Sequence, residues 1–212
     1  LANIIAYNLA DSIDVVAETT LRGGTNVIRE AGGSLTVNTG GSVNVTATDY
    51  ARSRDFRTAV AKLRGNKAVP RRGSLFYAAV HPDVSMDLRA ETGSTVAGWR
   101  SPQEYGFGDL SKSEGIWAGE IGQYEGAYFV ESPRLYSAKD GAGGTVRVYR
   151  SYVAGNQALA QAVAEEPHVV IGPSVDKLQR FRPIGWYGVL GFAIYRQASL
   201  FRVETAASIP IP

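Results

Sequence analysis

The sequence feature that most constrains the fold is an apolar and aromatic run at residues 183–195, PIGWYGVLGFAIY. Aromatic and β-branched residues are typical of strands, so this run predicts a strand. Its alternating positions form two sets, Trp186, Leu190, Phe192 and Ile194 on one face and Tyr187, Val189, Ala193 and Tyr195 on the other. A strand with large apolar groups on both faces must be covered on both faces. Either the rest of the chain or another copy of it must supply that cover.

A second strand is predicted at residues 199–205, joined to the first by a tight turn at 196–198. In this strand Leu200, Arg202 and Glu204 alternate with Phe201, Val203 and Thr205, which indicates a strand that is partly solvated or charge-paired with a neighbour. The two runs together predict a closing hairpin. Glycines at 185, 188 and 191 carry no side chain and leave room for another group to approach the backbone closely.

Composition excludes several classes of protein. The 212 residues are 44% hydrophobic and 20% charged, as in soluble globular proteins with a real core. No run approaches the roughly 20 apolar residues of a membrane span, and no signal-peptide pattern is present. The absence of cysteine excludes disulfides and thiolate metal sites and is compatible with folding in the cytosol. A net charge of +2 is too small to indicate nucleic-acid binding by itself.

Two helices are predicted in the first third of the chain. Apolar residues at positions 1, 5, 9, 13 and 16 form one stripe of a long amphipathic helix, which ends at Gly23 and Gly24. Residues 32–45 are rich in small polar residues and predict a loop or a short hairpin. A second helix follows, with its N-cap among Thr46, Thr48 and Asp49 and its apolar side at Tyr50, Phe56, Val60 and Leu63. The chain begins at Leu1 within a helical pattern and without methionine, so we expect a preceding segment.

The segment from 52 to 72 is strongly basic. Its cations are Arg52, Arg54, Arg57, Lys62, Arg64, Lys67, Arg71 and Arg72, and its only acid is Asp55. A nucleic-acid-binding module using this basic helix is one interpretation. A solvated helix face, or a face that pairs with acidic groups of a neighbouring subunit, is favoured because aromatic interleaving is sparse and the rest of the chain neutralises the charge.

The middle of the chain predicts a mixture of strands and helices. A buried strand at 74–80 ends at His81 and is followed by a short helix that starts at Pro82. Residues 92–114 form a predicted surface loop that carries Trp99. Strand, turn and strand are predicted over 116–133, a strand over 145–150, an alanine-rich helix over 154–164 and a strand over 168–172.

Candidate catalytic groups are few. Glu120 or Glu131 with His81 is the combination that a β-rich hydrolase of this sequence would use. Against it, no nucleophile motif accompanies His81, and a histidine at a strand end is usually a hydrogen-bonded structural group. His81 and His168 are the only histidines, and no spacing supports a metal site. The sequence therefore predicts no catalytic residue, no cofactor and no metal.

Three stretches in this order carry a resemblance to a known family. They are residues 76–83 with 87–89 (FYAAVHPD and DLR), 119–122 through 130–133 (GEIG and VESP), and 185–188 through 204–205 (GWYG and ET). Together they resemble the major capsid proteins of tailed bacteriophages in the N-four-like group, which have the Hong Kong 97-type capsid fold. The resemblance covers roughly residues 20–206 in colinear order.

The resemblance implies an α+β, Hong Kong 97-like fold with a long spine helix and with peripheral and axial domains. Residues 1–73 would hold the spine helix and part of the peripheral domain, residues 74–177 the axial domain, and residues 178–212 a returning hairpin that completes the sheet core. Family members normally have an N-terminal arm and an extended loop before the spine helix. This sequence shows neither, which agrees with the expected preceding segment.

The implied function is structural and not enzymatic. The chain would be a shell subunit that self-assembles into the hexamers and pentamers of an icosahedral head and encloses double-stranded DNA without sequence-specific binding. Decoration, scaffolding and portal proteins are the other expected partners, with no membrane. Assembly in the host cytoplasm and residence in the virion capsid are expected. Exposed aromatic and arginine side chains suit such contacts, and the candidate self-assembly residues are Arg52, Arg54, Arg57, Trp99, Trp186 and Tyr187.

Overall fold

Three helices and ten strands make up the part of the chain that the computed structural model describes, namely residues 2–91, 99–102, 119–176, 178 and 180–209. The helices are α1 (Ala2–Arg22), α2 (Ser53–Gly65) and α3 (Pro82–Glu91). The strands are β1 (Val27–Ala31), β2 (Ser34–Val37), β3 (Phe76–Val80), β4 (Glu120–Tyr124), β5 (Ala127–Glu131), β6 (Ser137–Ala138), β7 (Val148–Ala154), β8 (Leu159–Ile171), β9 (Ile184–Ile194) and β10 (Leu200–Thr205).

Eight strands form one mixed sheet in the order β2-β1-β10-β7-β3-β5-β4, with β6 paired to β7. Helix α2 packs against β10, β1 and β7. Its apolar side, Phe56, Val60 and Leu63, joins Phe76 and Phe129 of the sheet in the main core. The predicted apolar side of this helix is therefore confirmed at three of its four positions, while Tyr50 lies before the helix and is exposed.

The remaining two strands, β8 and β9, pair antiparallel and form a separate two-stranded ribbon. Helix α1 packs along β9. The predicted closing hairpin is therefore wrong, because β9 pairs with β8 whereas β10 lies between β1 and β7 in the large sheet. A single 3-10 turn at Gln197–Ser199 separates β9 from β10, and β10 finds its charge partners in the large sheet.

Charge pairing of the last strand, one of its two predicted alternatives, is confirmed. The carboxylate of Glu204 is fully buried among three arginines. Its oxygens lie 2.5 Å from Arg29 Nε, 2.9 Å from Arg202 Nε and 3.1 Å from Arg150 Nε. Arg29 and Arg150 are the cross-strand neighbours of Glu204 on β1 and β7, so the strand register itself brings these charges together.

The predicted helix over 154–164 is also wrong. Strand β8 begins at Leu159, after a turn in which Gln157 has a positive φ of 65°. Helix propensity is a weak preference that tertiary context overrides, and here the alanine-rich segment pairs with β9. The predicted strand at 168–172 is correct in kind, since residues 168–171 form the last part of β8.

The predicted N-cap of the second helix is wrong as well, because α2 begins at Ser53. The backbone N–H of Arg52 donates to the carboxylate of Asp55 over 2.8 Å. The Asp49 carboxylate does not cap α2. It accepts hydrogen bonds from the backbone N–H groups of Gly32, Gly33 and Thr46. Burial opposes its ionisation, but these bonds outweigh burial and hold the pKa of Asp49 below its usual range.

Several local predictions are confirmed. Helix α1 ends at Arg22, directly before Gly23, and β3 leads into α3 at Pro82. Strands β4 and β5 are joined by a tight turn at Glu125 and Gly126, both with positive φ. Within residues 32–45 lie the turn and second strand of a hairpin whose first strand, β1, begins earlier, at Val27, and the rest of this range is a loop with a 3-10 turn at Ser42–Asn44. The strand predicted over 145–150 is β7, which begins later, at Val148, and extends to Ala154. Most of the predicted loop over 92–114, residues 116–118 and Leu1 lie outside the described residues.

The large sheet draws strands from all three predicted segments, because β1, β7 and β10 are neighbours within it. The sheet thus crosses the expected boundaries at 73 and 177, and the assignment of segments to peripheral and axial domains stays a prediction. In the described part of the chain no helix has the length and hydropathy needed to cross a membrane.

Candidate functional site

The two faces of the ribbon differ in cover, although the sequence predicts large apolar residues on both. The even-numbered positions of β9 from Trp186 to Ile194 are half-buried, whereas Ile184 is exposed. Trp186 Nε1 donates to Asn8 Oδ1 of α1 over 2.9 Å. Ile194 and Leu21, at the end of α1, pack on the same buried cluster. Helix α1 therefore supplies the cover for this face.

The odd-numbered positions of β9 are left in the open, and we call this side the outer ribbon face. Tyr187 is 52% exposed, Val189 44% and Tyr195 71%. Val170 of β8, which pairs with Gly185, is also exposed. A β-carbon at Gly185 or Gly191 would meet no atom within 4 Å. The described part of the chain does not cover this apolar face, so the cover must come from elsewhere.

Gly188 is the one glycine of β9 where the expected close approach occurs. A β-carbon there would lie 2.9 Å from Pro167 Cα and 3.1 Å from Pro167 Cγ. Pro167 lies beside an irregular part of β8, where the register with β9 shifts on either side of Glu165. Because the β-bulge and Pro167 leave no space for a side chain at position 188, a glycine is needed there.

Gly188→Ala is expected to destabilise the ribbon, since the alanine methyl group would overlap Pro167. Overpacking of this kind costs about 1–3 kcal/mol. Gly191→Ala is the matched control, because the same methyl group points into open space there. Amide hydrogen exchange of β8 and β9 measures the difference, with faster exchange expected in the first variant only. Equal protection in both variants would contradict the packing argument.

The far end of the ribbon carries a structured apolar tip. Val175, Leu178 and Phe181 are each more than three fifths exposed. The loop is held by a 2.9 Å ion pair between Asp176 Oδ2 and Arg180 Nε. A backbone hydrogen bond from Val175 N–H to the Phe181 carbonyl closes it over 3.1 Å. The described residues of the tip thus present apolar side chains to the surroundings.

The four other predicted interface residues lie on the body of the molecule and are engaged there. Arg54 donates to both carboxylate oxygens of buried Glu30, over 2.6 and 2.5 Å. Arg57 lies 3.0 Å from Glu125, and Arg52 is half-buried at the start of α2. Trp99 packs on Phe129 with ring centroids 5.2 Å apart. Arg54, Arg57 and Trp99 have contacts within the subunit, as Trp186 has with α1, whereas Tyr187 lies on the outer ribbon face. A role of these six residues in self-assembly stays a prediction.

Glu30, the partner of Arg54, forms a pair of carboxyl groups with Asp55. Neither of the two residues has exposed surface. Burial raises the pKa of Asp55 to about 9, and its hydrogen bond with Glu30 acts in the same direction. The pKa of Glu30 is lowered, because the hydrogen bonds from Arg54 and Asp55 and the charge of Arg54 outweigh the effect of burial. Asp55 is therefore the protonated partner at neutral pH.

The hydrolase alternative gains no support from the geometry. His81 is buried, and its Nδ1 accepts a hydrogen bond from the backbone N–H of Asp83 over 3.2 Å. Burial lowers the pKa of His81. Glu131 accepts a hydrogen bond from Ser85 Oγ over 2.6 Å, and Glu120 pairs with Arg72 at 3.0 Å. Each candidate group thus has a structural partner of its own. Among the described residues no cluster of histidine and acidic side chains fits a metal.

The nucleic-acid alternative is weakened by the same kind of pairing. Arg54, Arg57 and Arg72 are matched with Glu30, Glu125 and Glu120. Other exposed cations of the segment are Lys62 and Arg64 near the end of the helix, Lys67 just after it, and Arg71 further along. Much of the predicted basic face is thereby neutralised within the subunit.

Sequence reasoning predicted only the end of the second strand of the ribbon and missed its first part, residues 159–167. A signal was present, because Val169, Val170 and Ile171 are β-branched and Pro167 interrupts any helix before them. Glu165 and Glu166 would also stand at the C-terminal end of the predicted helix, where negative charge opposes the helix dipole. These three features together favour a strand.

Comparisons with known proteins were made for sequence and for structure. A family model described as "Phage capsid protein" matches residues 1–209. No curated protein sequence matches the chain. Among solved structures, the capsid of Ralstonia phage GP4 has a TM-score of 0.66 and 16% identity, over 89% of this chain and 54% of that chain.

Two further solved structures are also similar to this chain. The capsid asymmetric unit of cyanophage Pam1 has a TM-score of 0.60 and 16% identity, over 99% of this chain and 68% of that chain. The Mycobacterium phage Che8 structure has a TM-score of 0.56 and 17% identity, over 93% and 60%. The chain thus spans between 54% and 68% of the length of these three structures.

The resemblance in the sequence is confirmed by a family match over nearly the whole chain and by the shared fold. The mixed sheet, the long helix α1 and the ribbon beside it are the α+β architecture that this resemblance implies. The chain belongs to the phage capsid protein family and has the Hong Kong 97-like fold of tailed-phage major capsid proteins.

Proposed function

We propose that the chain forms the greater part of a major capsid protein of a tailed, double-stranded DNA bacteriophage. Copies assemble into hexamers and pentamers and build the wall of an icosahedral head. The role is structural, and no group in the described part of the chain is placed for catalysis. Family membership supports the class of protein, and the uncovered ribbon supports self-assembly.

The observation that carries the proposal is the outer ribbon face. Tyr187, Val189 and Tyr195 expose apolar surface along one side of the ribbon, and the apolar tip extends it. Exposed apolar patches of this kind mark interaction sites. In a closed symmetric shell the same modest contact recurs at every subunit, so weak interfaces add up.

The two sheets support an assignment of the domains. We assign α1 and the ribbon to the peripheral domain, and most of the eight-stranded sheet with α2 and α3 to the axial domain at the capsomer centre. This assignment revises the boundaries expected from the sequence, because β1 and β10 lie in the large sheet.

The further partners of such a shell follow from its role. Double-stranded DNA is enclosed without sequence-specific binding, in keeping with the neutralised basic helix. Portal, scaffolding and decoration proteins are the proposed protein partners, assembly takes place in the host cytoplasm, and the virion is the final location.

The experiment is assembly of the full-length protein, followed by sedimentation velocity and negative-stain microscopy. Shells, sheets or free capsomers are expected. Val189→Lys, which places a charge on the outer ribbon face, is expected to reduce assembly strongly. Val43→Lys is the matched control, because Val43 is also an exposed valine but lies outside the ribbon. A protein that stays monomeric over a wide concentration range, or equal assembly of both variants, would contradict the proposal.

A further inference from the structure

Helix α2 has a basic end whose charges are not matched within the described structure. Lys62, Arg64 and Lys67 are exposed, and in the described ranges no carboxylate lies within ion-pair distance of them. Arg54 and Arg57, earlier in the same segment, each have a carboxylate partner. We call these three residues the basic end of α2.

The ribbon carries a complementary acidic feature, which we call the acidic bulge. Glu165 and Glu166 are both exposed on β8, where the pairing with β9 is irregular. Within the part of the chain that is described, His168 Nδ1 lies 3.8 Å from the Glu165 carboxylate, and the Glu166 carboxylate has no ion-pair partner. Pro167, packed against Gly188, holds the irregularity in place. Bulges of this kind re-aim side chains and are commonly functional.

The two charged surfaces belong to different parts of one chain. Helix α2 packs on the large sheet, whereas Glu165 lies six residues beyond Leu159, where the ribbon begins. A strand advances about 3.3 Å per residue, so the acidic bulge stands about 20 Å along the ribbon. No ion pair among the described residues joins them. Each surface is therefore free to meet its complement on another copy.

The surroundings of the acidic bulge have the composition of an interface. Val189 pairs with Glu165 across the ribbon, and Val189 and the nearby Tyr187 are exposed apolar residues of the outer ribbon face. Interfaces typically combine an apolar centre with a polar rim, and complementary charges fix the register and suppress wrong partners. The ribbon offers both elements side by side.

We propose that the acidic bulge of one copy docks on the basic end of α2 of a second copy. The contact joins two different surfaces, so it is heterologous and generates rings when the rotation closes. It rests on the proposed function and names the surfaces through which copies meet.

The test is reciprocal charge reversal in the full-length protein. One variant carries Glu165→Lys and Glu166→Lys, and the other carries Lys62→Glu and Lys67→Glu. Each variant alone would bring like charges together, and the concentration needed for assembly is expected to rise at least about tenfold. In an equimolar mixture, each reversed surface meets its opposite on the other variant. Assembly is then expected to recover, in rings with an even number of subunits.

Controls separate the contact from the wider proposal. Asp14→Lys changes the charge of an exposed residue on α1 and is expected to leave assembly unchanged. All four reversed positions are exposed, so the thermal unfolding midpoint of each variant is expected to match that of wild type. Normal assembly of either variant alone, or a mixture that does not recover, would overturn this contact while leaving the proposed function in place. Wild-type protein that never assembles would overturn both.

Discussion

Glu204→Gln is expected to lower the free energy of unfolding by about 3–5 kcal/mol, the usual cost of breaking a buried ion pair from one side. The substitution keeps the shape of the side chain but removes the carboxylate that Arg29, Arg150 and Arg202 share, and leaves Arg150 with Asp140 as its remaining partner. The buried guanidinium groups of Arg29 and Arg202 would then lie close together in a region with little solvent. A loss of this size is a large fraction of the stability of an ordinary domain.

Urea unfolding of wild type, Glu204→Gln and Glu125→Gln measures the effect. The Glu125→Gln variant is the matched control. Glu125 also pairs with an arginine, but both partners of that pair are substantially exposed, and such pairs contribute about 0–1 kcal/mol. Adding Arg29→Gln to Glu204→Gln is expected to cost less than the sum of the single changes, because the two sites share one interaction. Equal losses for Glu204→Gln and Glu125→Gln would show that the buried cluster does not stabilise the sheet.

Asp55→Asn is expected to stabilise the protein at pH 8 and to flatten its dependence on pH. The folded pKa of Asp55 is about 9, far above the usual value of 3.8. Between these values the folded state keeps a proton that the unfolded state has released. Stability from this group is therefore complete at low pH and falls as the pH rises, by at most about 1.4 kcal/mol per pH unit.

Asparagine reproduces the protonated form without a proton to lose. Its amide nitrogen donates towards Glu30, and its oxygen accepts the Arg52 N–H that Asp55 accepts now. Arg54 keeps its bidentate pair with Glu30. Unfolding at pH 5, 7 and 8.5 should show a gap between variant and wild type that widens with pH. Asp14→Asn, at an exposed site on α1, should run parallel to wild type; parallel curves for Asp55→Asn would contradict the assignment.

Features set by neighbours in sequence were predictable. The glycines after Arg22 end α1, Pro82 starts α3, and the turn at Glu125 and Gly126 joins β4 to β5. The alternation of β9 also assigned its apolar side chains to two faces, as the structure has them. In each case the deciding interaction lies within a few residues, where backbone conformation and side-chain period act directly.

Features that depend on partners distant in sequence were not predictable from the sequence. The helix predicted over 154–164 satisfied helix propensity, but its residues gain more from pairing with β9. The site shows the same division, since the apolar strand β9 and the end of β8 beside Tyr187 are predictable from the sequence, while residues 159–167 of β8 are not. For Arg54 and Arg57 the sequence predicts a solvated face or a face paired with a neighbouring subunit, because their partners within the chain, Glu30 and Glu125, are far away in sequence.

The sequence by itself determined that this chain contains a long amphipathic helix, a mixed set of strands and one strand too apolar to stand in water on either face. Only the tertiary structure decided which strands became neighbours, placing β10 between β1 and β7 and leaving β9 with β8 beside α1. The physical reason is that strand pairing depends on hydrogen bonds, cross-strand charges and packing between segments over a hundred residues apart. Local periodicity carries no information about those partners.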